Sequence, residues 1–412
     1  MTTQELYAER QKRMQAAQAL TEYDRVPIVP KMNFFYGSAY GINNYVTMTD
    51  LRNIIPGLKA YLNEYKPDAV WGPAQYPIPA LEALGTRYIH WPGQEHNIPL
   101  DHSFQILDGE YLLEDEYDEF VLDPTHFIIS KWLPRRHKNL SGLSKINFQN
   151  PIELGLFSQM AAFGDPEVIS SLEAMVTAGK KSAEWLGATG QFFETCIAEG
   201  FPLGPTIGQT CPFDMLADNF RGMVNTIMDI KERPEQLHAA LEVMTELCIK
   251  NALGALKALD HPYLFIPLHM GFDEFMSPET YAEFYWPGLR ALMMAGIENG
   301  LTPYVFCEGN YNLRLEQLCD IPKGKVIYMF EKVDIQKAKD TVGKVACFCG
   351  NLPTATLMYS TPEKVADETK KLLDVCAPGG GFIMDTSIVI DNCPKENLHA
   401  MFDTTLKYGT YK

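Results

Sequence analysis

The sequence lacks any run of about 18 apolar residues, so no segment of it is expected to cross a membrane. The first twenty residues are charged and amphipathic, and they lack the apolar centre of a secretory signal peptide. These two absences predict a soluble, cytoplasmic protein that has no membrane partner.

Basic residues are fewer than acidic residues. The chain has 35 lysines and arginines against 52 aspartates and glutamates, which gives a formal net charge of −17. Such a surface repels nucleic acid and disfavours a highly anionic substrate. The one basic cluster, at residues 131–138, is interpreted as a solvated loop.

Disulfides and a dinucleotide cofactor are not expected either. The nine cysteines form an odd set scattered along 412 residues, and most are expected to be buried thiols. The glycine-rich turn of a dinucleotide fold is missing, because Gly379–Gly381 precedes a strand-like run instead of joining a strand to a helix.

Regular alternation of strands and helices begins near residue 160. Apolar runs predict strands at 263–269, 302–308, 325–330, 344–349 and 381–386. Helical periodicity predicts helices at 167–186, 214–231, 235–259, 278–299, 311–319, 334–341, 362–375 and 394–408. This order predicts an α/β fold, a (β/α)8 TIM barrel formed by residues 1–412 as one domain. Residues 1–150 are interpreted as an N-terminal elaboration covering the barrel, with a hairpin at 104–113, and residues 160–412 as the regular βα units.

Three residues near predicted strand ends suggest a metal site. Cys307 ends one apolar run, Cys347 lies in another, and Glu279 begins a helix after a third. Two thiolates and a carboxylate at one end of a parallel sheet would leave zinc with an open fourth position, as in catalytic sites. Each cysteine could equally be a buried thiol, Cys349 is an alternative to Cys347, and Glu279 after Ser277-Pro278 is also a good helix start.

The C-terminal half, about residues 214–408, resembles the uroporphyrinogen decarboxylase superfamily. The stretches that carry the resemblance are Phe275–Tyr281, Phe306–Tyr311, Gly350–Pro353 and Gly379–Ile383. The spacing of an acidic residue, 27 residues, Cys, 39 residues, Cys is similar to that of the veratrol-type aryl-ether O-demethylases of this superfamily. Glu279, Cys307 and Cys347 have this spacing, with Glu in place of Asp.

This resemblance implies a zinc- and corrinoid-dependent methyltransferase. It would demethylate a small methoxylated aromatic and pass the methyl group to the Co(I) corrinoid of a transiently bound partner protein, with Zn²⁺ activating the ether oxygen. A homodimer is compatible with this interpretation.

Two further residues are candidates for proton transfer. His269 ends its predicted strand, and Asp385 places a charge inside an apolar run, which is costly unless the charge is used. Tyr36, Trp71 and Tyr311 are candidates for contacts with the substrate. Glu308 is expected to face away from the barrel axis.

Other functions remain open at this stage. A thiol substrate on the same zinc is disfavoured because Val305 stands where the thiol-methylating branch has His. A non-catalytic protein that binds a small aromatic or a tetrapyrrole is a third interpretation. Porphyrinogen decarboxylation ranks last, because residues 33–38 have no arginines for its carboxylates.

Overall fold

The strands form two sheets. The structure, a computed structural model, describes residues 1–148, 153–206, 208–259 and 261–411. An antiparallel pair is followed by a parallel sheet of order β3-β4-β5-β6-β7. The strands are β1 (Ile89–His90), β2 (Gln105–Ile106), β3 (Tyr263–Leu268), β4 (Thr302–Asn310), β5 (Ile327–Lys332), β6 (Cys347–Gly350) and β7 (Phe382–Ile383).

Three less regular segments close the parallel sheet into a ring. Segment 26–32 joins β7, where the Met384 N–H donates to the Pro27 carbonyl at 2.8 Å. Segment 68–71 follows, with the Asp68 N–H 2.9 Å from the Ile28 carbonyl. Segment 202–209 lies next, and its Gln209 N–H donates to the Phe265 carbonyl of β3 at 2.9 Å. The prediction of a (β/α)8 barrel is confirmed, and the N-terminal part supplies two of its ring segments besides its outer cover.

Helices surround the ring. The α-helices before the parallel sheet are α1 (Thr3–Gln18), α2 (Phe35–Ser38), α3 (Asn44–Thr49), α4 (Ile55–Tyr65), α5 (Ile78–Leu84), α6 (Tyr117–Leu122), α7 (Pro124–Phe127), α8 (Leu133–Arg136), α9 (Glu153–Ala161), α10 (Pro166–Ala198), α11 (Pro212–Leu216), α12 (Met223–Glu232) and α13 (Pro234–Leu259). Those within and after it are α14 (Pro278–Thr280), α15 (Trp286–Glu298), α16 (Ile335–Asp340), α17 (Thr354–Tyr359), α18 (Pro362–Cys376) and α19 (Lys395–Tyr408). Short 3-10 or π turns lie at Leu51–Ile54, Ile128–Trp132, Lys138–Lys145, Ala162–Gly164, Ala217–Arg221, Tyr281–Tyr285, Gln317–Cys319 and Val342–Lys344.

Two predicted elements have a different form. The expected hairpin at 104–113 does not form, because β2 pairs with β1 and the Leu112 N–H bonds to the Phe220 carbonyl. The helix expected at 311–319 is reduced to the turn Gln317–Cys319. No helix within the described ranges is long and apolar enough to span a bilayer.

The strands separate two apolar cores. Alternate side chains point to opposite faces of a strand. The interior of the ring is filled by one set of buried side chains: Val29, Ala69, Trp71, Tyr263, Tyr304, Phe306, Ile327, Met329, Cys347, Cys349 and Ile383. Met14 and Ala17 of α1 join this set, so α1 covers the N-terminal end of the ring. The opposite strand faces pack against the helices.

Gly350 ends β6 where only glycine fits. Its φ is +89°, and a Cβ there would lie 2.5 Å from the Phe330 carbonyl oxygen. Gly379 has a similar φ of +79°, but nothing lies within 4 Å of its Cβ position. Alanine substitutions at these two glycines therefore distinguish the cost of a positive φ from the cost of steric overlap.

We expect Gly350→Ala to lower the free energy of unfolding well beyond the ~1–2 kcal/mol that Gly379→Ala costs through φ alone. The extra loss reflects the overlap with Phe330, which is fixed backbone. Urea denaturation of both variants measures the difference. Equal losses in the two variants would contradict the close packing at β6.

Candidate active site

Glu279 lies on the protein surface. The side chain is exposed at the start of α14, where the Ser277 hydroxyl accepts a hydrogen bond from the Thr280 N–H at 3.2 Å. Its own backbone N–H and Ser277 lower the pKa of Glu279. The residue has the role of a helix-terminus charge, and the structure does not bring it to the predicted zinc site.

Cys307 and Cys347 lie on opposite faces of the sheet. Cys347 pairs with Ile327, and Ile327 pairs with Tyr304. Cys307 is three residues beyond Tyr304, and an odd step reverses the face of a strand. Cys307 is therefore packed in the outer core, whereas Cys347 lies inside the ring.

The predicted zinc ligands do not fit a common ion. Within the described ranges, no three His, Cys, Asp or Glu side chains are grouped as metal ligands. Burial raises the pKa of Cys307 and of Cys347, so both side chains are thiols in the metal-free protein. The alternative ligand, Cys349, faces the interior with its sulfur 3.0 Å from the Tyr304 hydroxyl, and burial raises its pKa as well.

A polar group occupies the barrel mouth, by which we mean the end of the ring where the strands have their C-termini. Its members are Lys31 from segment 26–32, His269 after β3, Glu308 of β4, Glu331 of β5 and Asp385 after β7. The C-terminal strand ends are where barrels of this type hold their chemistry.

His269 is held by two carboxylates. Its Nδ1 lies 2.5 Å from Asp218 Oδ2, and its backbone N–H donates to Asp214 at 2.9 Å. Burial acts to lower the pKa of His269, but the bond with Asp218 and the charges of Asp214 and Glu308 raise it to about 9. His269 is therefore a cationic acid at neutral pH, with its side chain 38% exposed.

Asp385 lies beneath the mouth with one oxygen unused. Oδ1 accepts hydrogen bonds from the backbone N–H groups of Lys31 at 2.9 Å and Thr386 at 2.7 Å. Oδ2 is buried and has no hydrogen-bond partner within the described residues. Burial raises the pKa of Asp385 to about 7, against the effect of those bonds and of the Lys31 charge.

Glu308 faces the interior, contrary to expectation. The pairing of β4 with β5 is irregular between Cys307 and Asn310, and the Glu308 carboxylate interacts there with the charges of His269 and Lys31. Burial raises the pKa of Glu308, while the charges of His269 and Lys31 lower it. Glu308 therefore lies near both cations of the mouth.

Three aromatic rings surround the Lys31 ammonium. Nζ lies 3.7 Å from the centre of the Phe306 ring, 4.9 Å from Phe265 and 5.6 Å from Trp71. Trp71, a predicted substrate contact, is thus part of the interior wall. Lys31 was not among the predicted site residues, although a lysine directly after the apolar run 26–30 is a recognisable signal.

The other two predicted substrate contacts lie outside the ring. The Tyr36 hydroxyl donates to the Trp71 carbonyl at 2.9 Å, and its ring packs 5.4 Å from Tyr61. Tyr311 is buried in the outer core with Cys307. Both residues are packing residues, because the strand faces that they cover point toward the helices.

Comparisons with known proteins agree with this architecture. Residues 202–408 match the family model described as uroporphyrinogen decarboxylase (URO-D). A methyltransferase from Methanosarcina mazei is similar over 97% of this chain and 98% of its own, with 17% identity and a TM-score of 0.62, a likeness of fold. A B12-independent methionine synthase from Shewanella sp. W3-18-1 in complex with selenomethionine is similar over 50% of this chain and 61% of its own, with 14% identity and a TM-score of 0.34. No curated protein sequence matches the chain.

We expect Glu279→Gln and Cys307→Ala to leave the zinc content of the purified protein unchanged, because the two side chains lie on the surface and in the outer core. Elemental analysis of wild type and variants measures this content. Loss of a zinc ion from both variants would contradict this expectation and support the ligand set that the sequence predicted.

Replacement of Asp385 by Asn should change how stability depends on pH. A pKa raised from 3.8 to about 7 means that wild-type stability falls as the pH rises through this interval. Relative to wild type, Asp385→Asn should therefore gain stability from about pH 4 to about pH 7, by at most ~1.4 kcal/mol per pH unit.

Urea denaturation across this pH range tests the expectation. Asp403→Asn, a change on the exposed side of α19, is the matched control. Parallel stability curves for wild type and Asp385→Asn would show that folding does not raise the pKa of Asp385.

Proposed function

Because the chain belongs to the uroporphyrinogen decarboxylase family, we propose that it is a methyltransferase of that family acting on a small methoxylated aromatic at the barrel mouth. The methyl group would be accepted by the reduced corrinoid of a transiently bound partner protein. One observation supports this best: His269, a cationic acid, stands with carboxylates at the strand ends, above an interior that contains several aromatic rings.

The aromatic wall suits a planar substrate. Trp71 and Phe265 meet edge to face with ring centres 5.2 Å apart, and Phe306 lies on the same interior face. Planar apolar surfaces of this kind bind aromatic rings through burial and ring–ring contacts. Because the rings of Trp71 and Phe306 are buried, a substrate ring would lie above them, among the polar side chains of the mouth.

His269 supplies the proton that the chemistry needs. Breaking the bond between an aryl oxygen and a methyl carbon leaves the electron pair on oxygen, and a phenol has a pKa of about 10. With its pKa at about 9, His269 can protonate this oxygen with little free-energy cost. The bond to Asp218 keeps the imidazole charged and oriented until the proton leaves.

This assignment replaces the expected Lewis acid with a proton donor. The residues predicted to hold Zn²⁺ do not converge, so no step of the proposed reaction is assigned to zinc. Asp385 and Glu308 are further acids of the mouth, and burial raises the pKa of each.

The electrostatics of the mouth favour a small substrate over a porphyrinogen. Glu308, Glu331 and Asp385 face the same space as the two cations Lys31 and His269. A tetrapyrrole with many carboxylates would meet as much negative charge as positive charge. A small aromatic ether avoids this repulsion.

The test is methyl transfer in solution. We expect the purified chain, mixed with a reduced corrinoid protein and a panel of aryl methyl ethers, to release a phenol while the Co(I) absorbance disappears. His269→Asn should lower the rate about a hundredfold or more, since general acid catalysis contributes that much.

His399→Asn is the matched control, because His399 also contacts a carboxylate, Glu64, at 3.0 Å but lies on the protein surface. Methyl transfer only with thiols would favour the thiol-dependent alternative. Binding of aromatics by a folded protein without any turnover would favour the non-catalytic one, and either result would contradict the proposal.

A further inference from the structure

Lys31 is the one mouth cation that the reaction described above leaves without a role. It ends segment 26–32, and its backbone is fixed on both sides: the N–H donates to Asp385 at 2.9 Å, and the carbonyl accepts from the Ile390 N–H at 2.8 Å. The backbone position therefore directs the side chain into the ring. Lys31 lies outside residues 202–408, the stretch that matches the family model.

The Lys31 ammonium is close to acids but paired with none. Within the described residues, no carboxylate oxygen is found within 4.0 Å of Nζ, and its contacts are the rings of Phe306, Phe265 and Trp71. Burial lowers the pKa of Lys31 to about 8, while the charges of Glu308, Asp385, Cys349 and Asp391 oppose this effect. Lys31 thus remains largely cationic at neutral pH.

An ammonium in this position needs an oxygen acceptor. The ring faces satisfy part of its charge, but they do not satisfy three N–H donors. Solvent water can accept from these donors in the free protein, but a charged oxygen in its place would form one of the stronger hydrogen bonds in proteins. An oxygen on an aromatic ring bound at the mouth, above the buried Phe306, would come within reach of Nζ.

We propose that Lys31 is the oxyanion-binding residue of the mouth, which holds the aryl oxygen as the methyl group leaves it. This inference rests on the proposed function. As the carbon–oxygen bond breaks, the electron pair stays on oxygen, the ammonium pairs with the resulting phenolate, and the proton that finally neutralises the phenolate comes from His269. Glu308 faces the same space, and its charge interacts with both cations.

The inference also narrows the substrate class. A thioether or a methylated amine releases a sulfur or nitrogen atom that accepts hydrogen bonds from an ammonium less well than phenolate oxygen does. Lys31 therefore favours methyl ethers of phenols over the other methyl donors that a barrel of this family could accommodate.

Binding of a phenolate tests Lys31 without any turnover. The probes are 4-nitrophenolate, which mimics the released oxygen, and 4-nitroanisole, its neutral methyl ether. Near neutral pH we expect Lys31→Met to weaken nitrophenolate binding about tenfold or more, the worth of a charged hydrogen bond. Binding of nitroanisole should change much less, because methionine preserves most of the apolar stem.

Two variants serve as controls. Lys31→Arg keeps the positive charge, and we expect it to keep the preference for the phenolate. A substitution at this position that retains the preference would show that the loss in Lys31→Met comes from the missing charge and not from a disturbed fold. Lys59→Met, on the exposed side of α4, should bind both probes as wild type does.

The outcomes separate this inference from the proposed function. Lys31→Met protein that still prefers nitrophenolate, or wild type that binds neither probe, would overturn the role of Lys31. Selective phenolate binding by wild type that is lost in Lys31→Met would support it, even if the corrinoid assay found no methyl transfer.

Discussion

The register of the parallel strands determines which side chains can meet in this protein. Each strand presents alternate residues to the ring interior, and the pairing of Tyr304 with Ile327 and of Ile327 with Cys347 sets those three on one face. A shift of one residue in the pairing of a strand would turn its interior side chains toward the helices and its outer side chains into the ring. Because of this constraint Cys307 packs among the helices.

Charge at the mouth follows from this geometry. The interior face below it is apolar, so the polar residues that end the strands are partly removed from water. Removal from water raises the pKa of Asp385 to about 7 and lowers that of Lys31 to about 8. Burial also acts to lower the pKa of His269, but the hydrogen bond with Asp218 favours the protonated imidazole and outweighs this effect. Groups that exchange protons near neutral pH are therefore concentrated at one end of the barrel.

The strands of the C-terminal half were predictable because each is a short apolar run followed by glycine and polar residues. The turn at Gly350 is an example, since its φ and its distance from Phe330 admit no other residue. His269 and Asp385 lie at the end of the ring where their strands were predicted, whereas Trp71 lies in a ring segment of the part interpreted as an outer elaboration. Glu279 was misplaced, because a good helix start and a metal ligand can have the same local sequence.

The sequence by itself determined the fold class, since alternating apolar runs and helical periods admit few other arrangements. It also determined that carboxylates and a histidine would stand at strand ends. Only the tertiary structure decided the direction of each side chain, because direction depends on the register between strands distant in sequence. It also brought Lys31 from the first ring segment to Phe306 of β4, a contact between residues 275 positions apart.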